Sequence, residues 1–210
     1  MVIDNKNIID INFNPEAALS LAAELFHSGK IFIYPTDTIY GIGGNPFDQD
    51  VVKRITEIKG RNESKQFIWL ISDLENLLNY VEISNETYYE FLQKVWPAPV
   101  SAILKLNERT GKIVNQSSIA VRIPDNDFCL KLLREISRPL ISTSVNRSGE
   151  NPLTQPEMII EKFSQEVDAI LFHTESVENK SSTIIDLTSN KPKLIREGSI
   201  KFVELLQNLG

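Results

Sequence analysis

Residues 31–46, IFIYPTDTIYGIGGNP, constrain this chain more than any other stretch. Residues 31–34 are a short β-branched and aromatic run, the pattern of a buried strand. Pro35 has no N–H to give a central ladder, so regular pairing ends near it. Thr36, Asp37 and Thr38 then bring three small oxygen-bearing side chains together, and Tyr40, Gly41, Gly43 and Gly44 follow. A strand that opens into oxygens and glycines can build a small-molecule pocket. The strand fixes position, the oxygens bind, and the glycines let a ligand approach the backbone. The same residues also suit a plain strand-to-loop turn capped by Thr and Asp. No GxxxxGK[ST] run is present, so the chain is not a P-loop protein.

What surrounds this stretch sets the fold class. Residues 15–28 carry Ala18, Leu21, Ala22, Leu25 and Phe26 at helical spacing, with Asn14 as N-cap, Pro15 at the first position and Gly29 as the stop. Helix, tight stop and strand in succession make an α/β arrangement. Further helices are expected over residues 50–59, 73–80, 85–95, 128–136, 156–163 and 203–209. Strands are expected over 67–71, 100–106, 119–123, 140–143, 169–172, 183–187 and 193–195, while 175–182 is a polar connection. No repeat or linker breaks the 210 residues, and a single domain is the economical reading.

Composition removes several classes of function. The net charge is −6, whereas a general nucleic-acid binder is usually basic. No apolar run approaches the ~20 residues of a membrane span. The start, MVIDNKNIID, lacks the basic and apolar regions of a secretory signal. Cys129 is the only cysteine, so no internal disulfide can form and a cytoplasmic location is expected. Its helical context, DFCLKLL, marks it as a buried small hydrophobe rather than a nucleophile. His27 and His173 lie far apart and lack metal-ligand neighbours.

Within this acidic chain, cations gather at particular places. Lys59, Arg61 and Lys65 surround the KGR turn that ends the 50–59 helix. They suit either a solvated helix C-terminus or a grip on a polyanion such as a nucleoside triphosphate. Arg122 lies inside the apolar strand IAVRI, where burial of an unpaired charge is costly. It therefore either faces solvent on an edge strand or clamps a carboxylate or phosphate. Small hydroxyls recur at strand ends: Thr36 and Thr38, Ser142 and Ser144, Ser182 and Thr183. No Ser–His–Asp set or carboxylate pair stands out. Such a pocket would work by positioning and charge neutralisation, the mode of phosphoryl and nucleotidyl transfer.

At these residues the chain resembles a known family. YPTDTIYGIGG, KGR with Lys65, WPAPVSAILK, IAVRIP, STSVNRSG, SSTIID and LIREG occur in the order seen in YrdC-like domains. The resemblance runs from about residue 10 to 206 and is to the threonylcarbamoyl-AMP synthases of the single-domain TsaC type. It implies a twisted mixed sheet with flanking helices and a concave basic cavity. It also implies condensation of L-threonine, bicarbonate or CO2 and ATP to threonylcarbamoyl-adenylate and pyrophosphate. Other proteins then pass the threonylcarbamoyl group to adenosine 37 of ANN-decoding tRNAs. Mg²⁺ would accompany the ATP phosphates.

The resemblance also assigns positions. Thr38, Arg122, Ser142 and Ser182 would meet threonine, with Arg122 taking its carboxylate. Lys59, Arg61 and Lys65 would hold the triphosphate, and Ser118, Ser144, Asn146, Pro152 and Arg196 would complete the ATP side. Thr36 and Asp37 are read as shaping the turn that presents Thr38. The chain departs from the family pattern at Gln66, at SVN in place of SAN, at Trp69 and Leu70, at Asp37, which is one methylene shorter than the usual glutamate, and at Asn126. Two other readings stand beside the synthase: a YciO-like paralogue with a different or weak activity, and a module that binds double-stranded RNA or tRNA.

Overall fold

The computed structural model describes residues 7–60, 67–173 and 180–209. Its strands are β1 (Ile8–Asp10), β2 (Phe32–Tyr34), β3 (Gly41–Gly43), β4 (Ile68–Leu70), β5 (Val81–Glu82), β6 (Val100–Leu106), β7 (Ser118–Arg122), β8 (Leu140–Ser144), β9 (Ala169–Phe172), β10 (Thr183–Asp186) and β11 (Lys193–Arg196). They form one twisted mixed sheet in the order β1-β9-β2-β3-β8-β4-β7-β6-β10-β11, with β5 added beside β6. The helices are α1 (Pro15–His27), α2 (Gln49–Lys59), α3 (Leu74–Leu78), α4 (Glu86–Val95), α5 (Glu108–Val114), α6 (Asp127–Ile136), α7 (Pro156–Phe163) and α8 (Phe202–Leu206). No helix among the described residues is long and apolar enough to cross a membrane.

Apolar faces decide which layers form. Ala18, Ala22 and Phe26 of α1 and Phe128, Leu132 and Leu133 of α6 bury against Phe32, Leu140 and Leu171. Val51, Ile55 and Ile58 of α2 join Ile159 and Phe163 of α7 over Ile33, Ile42 and Ile170. Alternate residues of β2 thus serve both clusters, as the two-residue period of a strand requires. A third cluster packs Phe91 and Leu92 of α4 onto Trp69, Ala102, Leu104 and Val121. Asn14, Asp48, Asp73, Asn85, Asn107 and Asn126 each cap a helix through the side chain.

Two sequence expectations need correction. Gly41 to Gly43 form a strand, antiparallel to both β2 and β8, rather than a ligand-facing loop. A Cβ on Gly43 would lie 2.6 Å from Tyr34 Cε1 and 2.7 Å from the Ile141 carbonyl, so this glycine admits the Tyr34 ring and not a ligand. The edge-strand alternative for Arg122 also fails, because β7 lies between β4 and β6 and the residue is buried. Residues 81–82 and 108–114 add a short strand and a helix that no long apolar run announced.

Candidate active site

The ends of several elements converge on one cavity of about 470 Å³. The turn after β2 delivers Thr36 and Thr38, α2 delivers Lys59, β4 contributes Ile68 and Leu70, and β7 contributes Arg122. β8 and the loop after it supply Ser142, Ser144, Asn146 and Pro152, while Ser182 and Arg196 close the remaining wall. Nine expected positions therefore share this cavity: Thr38, Lys59, Arg122, Ser142, Ser144, Asn146, Pro152, Ser182 and Arg196. Arg61 and Lys65 lie outside the described residues. Ser118 shares the face of Arg122 at the opposite end of β7 and is not among the lining side chains. Trp69 and Leu70 point to opposite faces: Leu70 lines the cavity, and Trp69 packs edge-on to Phe47.

One wall is organised by Lys59. Only 3% of this residue is exposed. Its ammonium donates to the Ser144 carbonyl at 2.5 Å, reaches the Ser144 hydroxyl at 3.4 Å, and donates to Asn146 Oδ1. The Ser144 hydroxyl donates to the same Oδ1 at 2.6 Å, and Asn146 Nδ2 donates to the Glu150 carbonyl at 2.6 Å. The backbone joins in, because Ser148 N donates to the Lys59 carbonyl at 2.8 Å. Arg147 leaves the cavity: it pairs with Glu166 at 2.5 Å and donates to the Ile58 carbonyl near the end of α2.

The opposite wall is organised by Arg122. Its Nη2 pairs with Asp37 Oδ1 at 2.9 Å, the two side chains being 4% and 7% exposed. Nη1 donates to the Thr38 hydroxyl at 3.1 Å, and Thr38 lies 3.0 Å from the Thr36 hydroxyl. Thr36 donates onward to the Ile39 carbonyl at 2.7 Å and accepts from Thr38 N at 3.1 Å, which fixes the turn. Asp37 is the residue that sequence reasoning undervalued. It does more than shape the turn, since it is the carboxylate partner of the buried arginine. The available signal was an acid adjoining Thr38 in a chain whose apolar strand IAVRI carried an arginine in need of an anion.

Ser182 and Arg196 form the third wall. Arg196 Nη2 donates to the Ser182 carbonyl at 2.8 Å and to its hydroxyl at 3.2 Å. The Ser182 hydroxyl also lies 3.0 Å from that of Ser101. Desolvation, and then the Arg122 charge across the cavity, lower the pKa of Arg196 below the usual arginine value. Nearby, burial pushes the Tyr34 phenol and the Cys129 thiol well above their ordinary values. Cys129 is fully buried and donates to the Pro35 carbonyl at 3.3 Å, so it is a packing residue.

Residues 24–198 match the Sua5/YciO/YrdC family, described as telomere recombination. The chain belongs to this family. It is 31% identical over 197 residues to the Pyrococcus abyssi protein named threonylcarbamoyl-AMP synthase, covering 93% of this chain and 58% of that protein. The family structures agree. Sua5 of P. abyssi, solved complexed with L-threonine, superposes with a TM-score of 0.84 at 31% identity over 91% of this chain and 57% of that one. YciO of E. coli superposes at 0.81 with 27% identity, covering 93% and 95%. The chain thus spans about six tenths of the Sua5 length and nearly all of the YciO length.

Proposed function

We propose that this chain is an L-threonylcarbamoyladenylate synthase, a nucleotidyltransferase that condenses L-threonine, bicarbonate or CO2 and ATP with release of pyrophosphate. Its product would serve the threonylcarbamoyl modification at tRNA position 37. The observation that carries the reading is the division of one cavity between Lys59, Ser144 and Asn146 on one wall and Arg122, Thr38 and Ser142 on the other. The likeness to Sua5 complexed with L-threonine supports the amino-acid half.

The reaction needs no protein nucleophile. The threonine amine adds to the carbon of CO2 and gives up a proton, or to that of bicarbonate with loss of water, and either route gives a carbamate. A carbamate oxygen attacks the α-phosphorus of ATP, the bond to the β-phosphate oxygen breaks, and pyrophosphate leaves. Lys59 holds the triphosphate, with Arg61 and Lys65 assigned beside it. Arg122 takes the threonine carboxylate, while Thr38, Ser142 and Ser182 set the amine and hydroxyl. Ser144, Asn146, Pro152 and Arg196 seat the nucleotide, and Ser118 joins only if the nucleotide extends along β7. Placing three reactants in one cavity supplies most of the rate, because bound reactants of the right orientation have already lost their translational freedom. No group of three or more His, Cys, Asp or Glu side chains that could hold a metal occurs among the described residues. Mg²⁺ would enter with ATP, held by its phosphates.

Pyrophosphate release measured with ATP, threonine and bicarbonate tests this reading. Release that requires all three supports it. Release indifferent to threonine favours a YciO-like paralogue of other activity, a reading the near-complete coverage of E. coli YciO keeps in view. No release, together with salt-sensitive binding of double-stranded RNA or tRNA, would favour the RNA-binding module, against which the net charge of −6 counts.

A further inference from the structure

Arg122 and Asp37 make an ion pair that is neutral in charge but unsaturated in hydrogen bonds. A guanidinium has five N–H bonds. Arg122 commits one to Asp37 Oδ1 and one to the Thr38 hydroxyl. Its Nε is buried without a partner, and so is Asp37 Oδ2. A two-pronged pairing would have used both carboxylate oxygens and consumed a whole edge of the guanidinium. The single-pronged contact instead cancels the charge while leaving three N–H bonds uncommitted among the described residues. Arg196, on the neighbouring wall, donates to Ser182 and has no carboxylate partner among the described residues.

This arrangement has a consequence for selectivity. A buried guanidinium without a counter-ion attracts the most highly charged anion at hand. In a cavity that admits a triphosphate, that anion would be a phosphate group. With Asp37 alongside, a second carboxylate of single charge can still accept the free Nη N–H bonds. A phosphate group would instead bring two negative charges against a carboxylate already present, and discrimination between partners is achieved through such repulsion. We propose that Asp37 is a selectivity-determining positioning residue: by neutralising Arg122 through one oxygen, it reserves this end of the cavity for a monocarboxylate such as an amino acid and directs phosphate groups to the Lys59 wall. This rests on the amino-acid and nucleotide assignment proposed above.

The test compares wild type with Asp37→Asn, Asp37→Glu and the double variant Asp37→Asn/Arg122→Gln. Titration calorimetry with inorganic phosphate and with L-threonine is the primary readout. Asp37→Asn should bind phosphate at least about tenfold more tightly than wild type, a difference of ~1.4 kcal/mol. Phosphate should then compete with threonine, raising the KM for threonine while leaving kcat in place. Asp37→Glu should keep wild-type exclusion of phosphate, and the double variant should lose the gain. Equal phosphate affinity in wild type and Asp37→Asn overturns the proposal, as does a gain that survives the double substitution. Loss of the Arg122 counter-ion also weakens the fold, so melting gives a second readout. Phosphate should raise the Asp37→Asn midpoint more than those of wild type and the double variant; a uniform rise overturns the proposal. Absence of threonine binding in wild type would remove the proposed reaction, whereas the phosphate gain in Asp37→Asn would still support the charge-balancing role of Asp37.

Discussion

Lys59 donates to the carbonyl oxygen of Ser144 at 2.5 Å, so the last turn of α2 is tied to the end of β8 along one wall of the cavity. The lysine sits at the helix C-terminus, where a cation suits the macrodipole. Gly60 follows in the left-handed conformation at φ 56° and turns the chain away. Its ammonium is thereby preset beside the Ser144 and Asn146 side chains before any ligand arrives.

Lys59→Ala should weaken ATP binding by about ten- to a hundredfold, since a hydrogen bond to a charged group contributes ~1.5–3 kcal/mol. Threonine binding should stay within about twofold, because changes at well-separated sites are nearly independent. Calorimetry with each ligand separately checks both. Unchanged ATP affinity would remove Lys59 from the nucleotide site.

Arg122→Ala should reverse that selectivity, raising the KM for threonine far more than that for ATP. It also strands Asp37, whose side chain is 7% exposed. Removing one partner of a buried pair costs about 3–5 kcal/mol, and at this chain length each kcal/mol moves the midpoint by ~2–4 °C. Scanning calorimetry should therefore show a Tm lowered by about 6–20 °C. Equal kinetic effects on both substrates would contradict the role given to Arg122.

Two glycines make a matched pair of substitutions. A Cβ on Gly198 would lie 2.1 Å from the Ser181 carbonyl oxygen and 2.4 Å from the Ser182 carbonyl carbon. Gly198→Ala must displace the Ser181–Ser182 backbone, with an overpacking cost of about 1–3 kcal/mol, and Ser182 and Arg196 should lose their register. Gly60→Ala meets nothing within 4 Å and bears only the left-handed backbone cost, about 1–2 kcal/mol. Both should lower the melting midpoint. Only Gly198→Ala should also raise the threonine KM, which steady-state kinetics on the two folded variants will separate.

Alkaline pH should destabilise the fold. Burial raises the folded-state pKa of Cys129 above its ordinary 9.0 and of Tyr34 above its ordinary 10.0. The unfolded chain releases these protons first, so their contribution is complete below about pH 9 and declines as pH rises beyond that. Urea midpoints measured between pH 7 and 11 should fall above pH 9, more in wild type than in Tyr34→Phe. For the same reason the Cys129 thiol should resist a disulfide reagent in the native state and react upon unfolding.

Much of this was legible in the sequence because apolar periodicity and caps are local signals. The 100–106, 156–163 and 169–172 elements appear with the expected limits. Residues 108–114 were missed because Asn107, Glu108 and Gly111 make a polar helix whose buried face includes Thr110 rather than an apolar stripe. Gly41 and Gly43 were misread because the space they leave is filled by Tyr34, a neighbour created by strand pairing, and Gly44 because Val51 of α2 fills its space. The site residues were legible as chemistry, since hydroxyls and cations marked strand ends. That Asp37 pairs with Arg122, 85 positions away, depends on the order of β2, β3, β8, β4 and β7, which no local pattern encodes.

The central claim is that one cavity is divided between a triphosphate at Lys59 and an amino-acid carboxylate at Arg122. A crystal structure with a non-hydrolysable ATP analogue and L-threonine tests this directly. The account predicts phosphate oxygens within hydrogen-bond distance of Lys59 and Ser144, and the threonine carboxylate on the free N–H bonds of Arg122 with Asp37 still in place. Phosphate density against Arg122, or threonine bound away from Thr38 and Ser142, would contradict it.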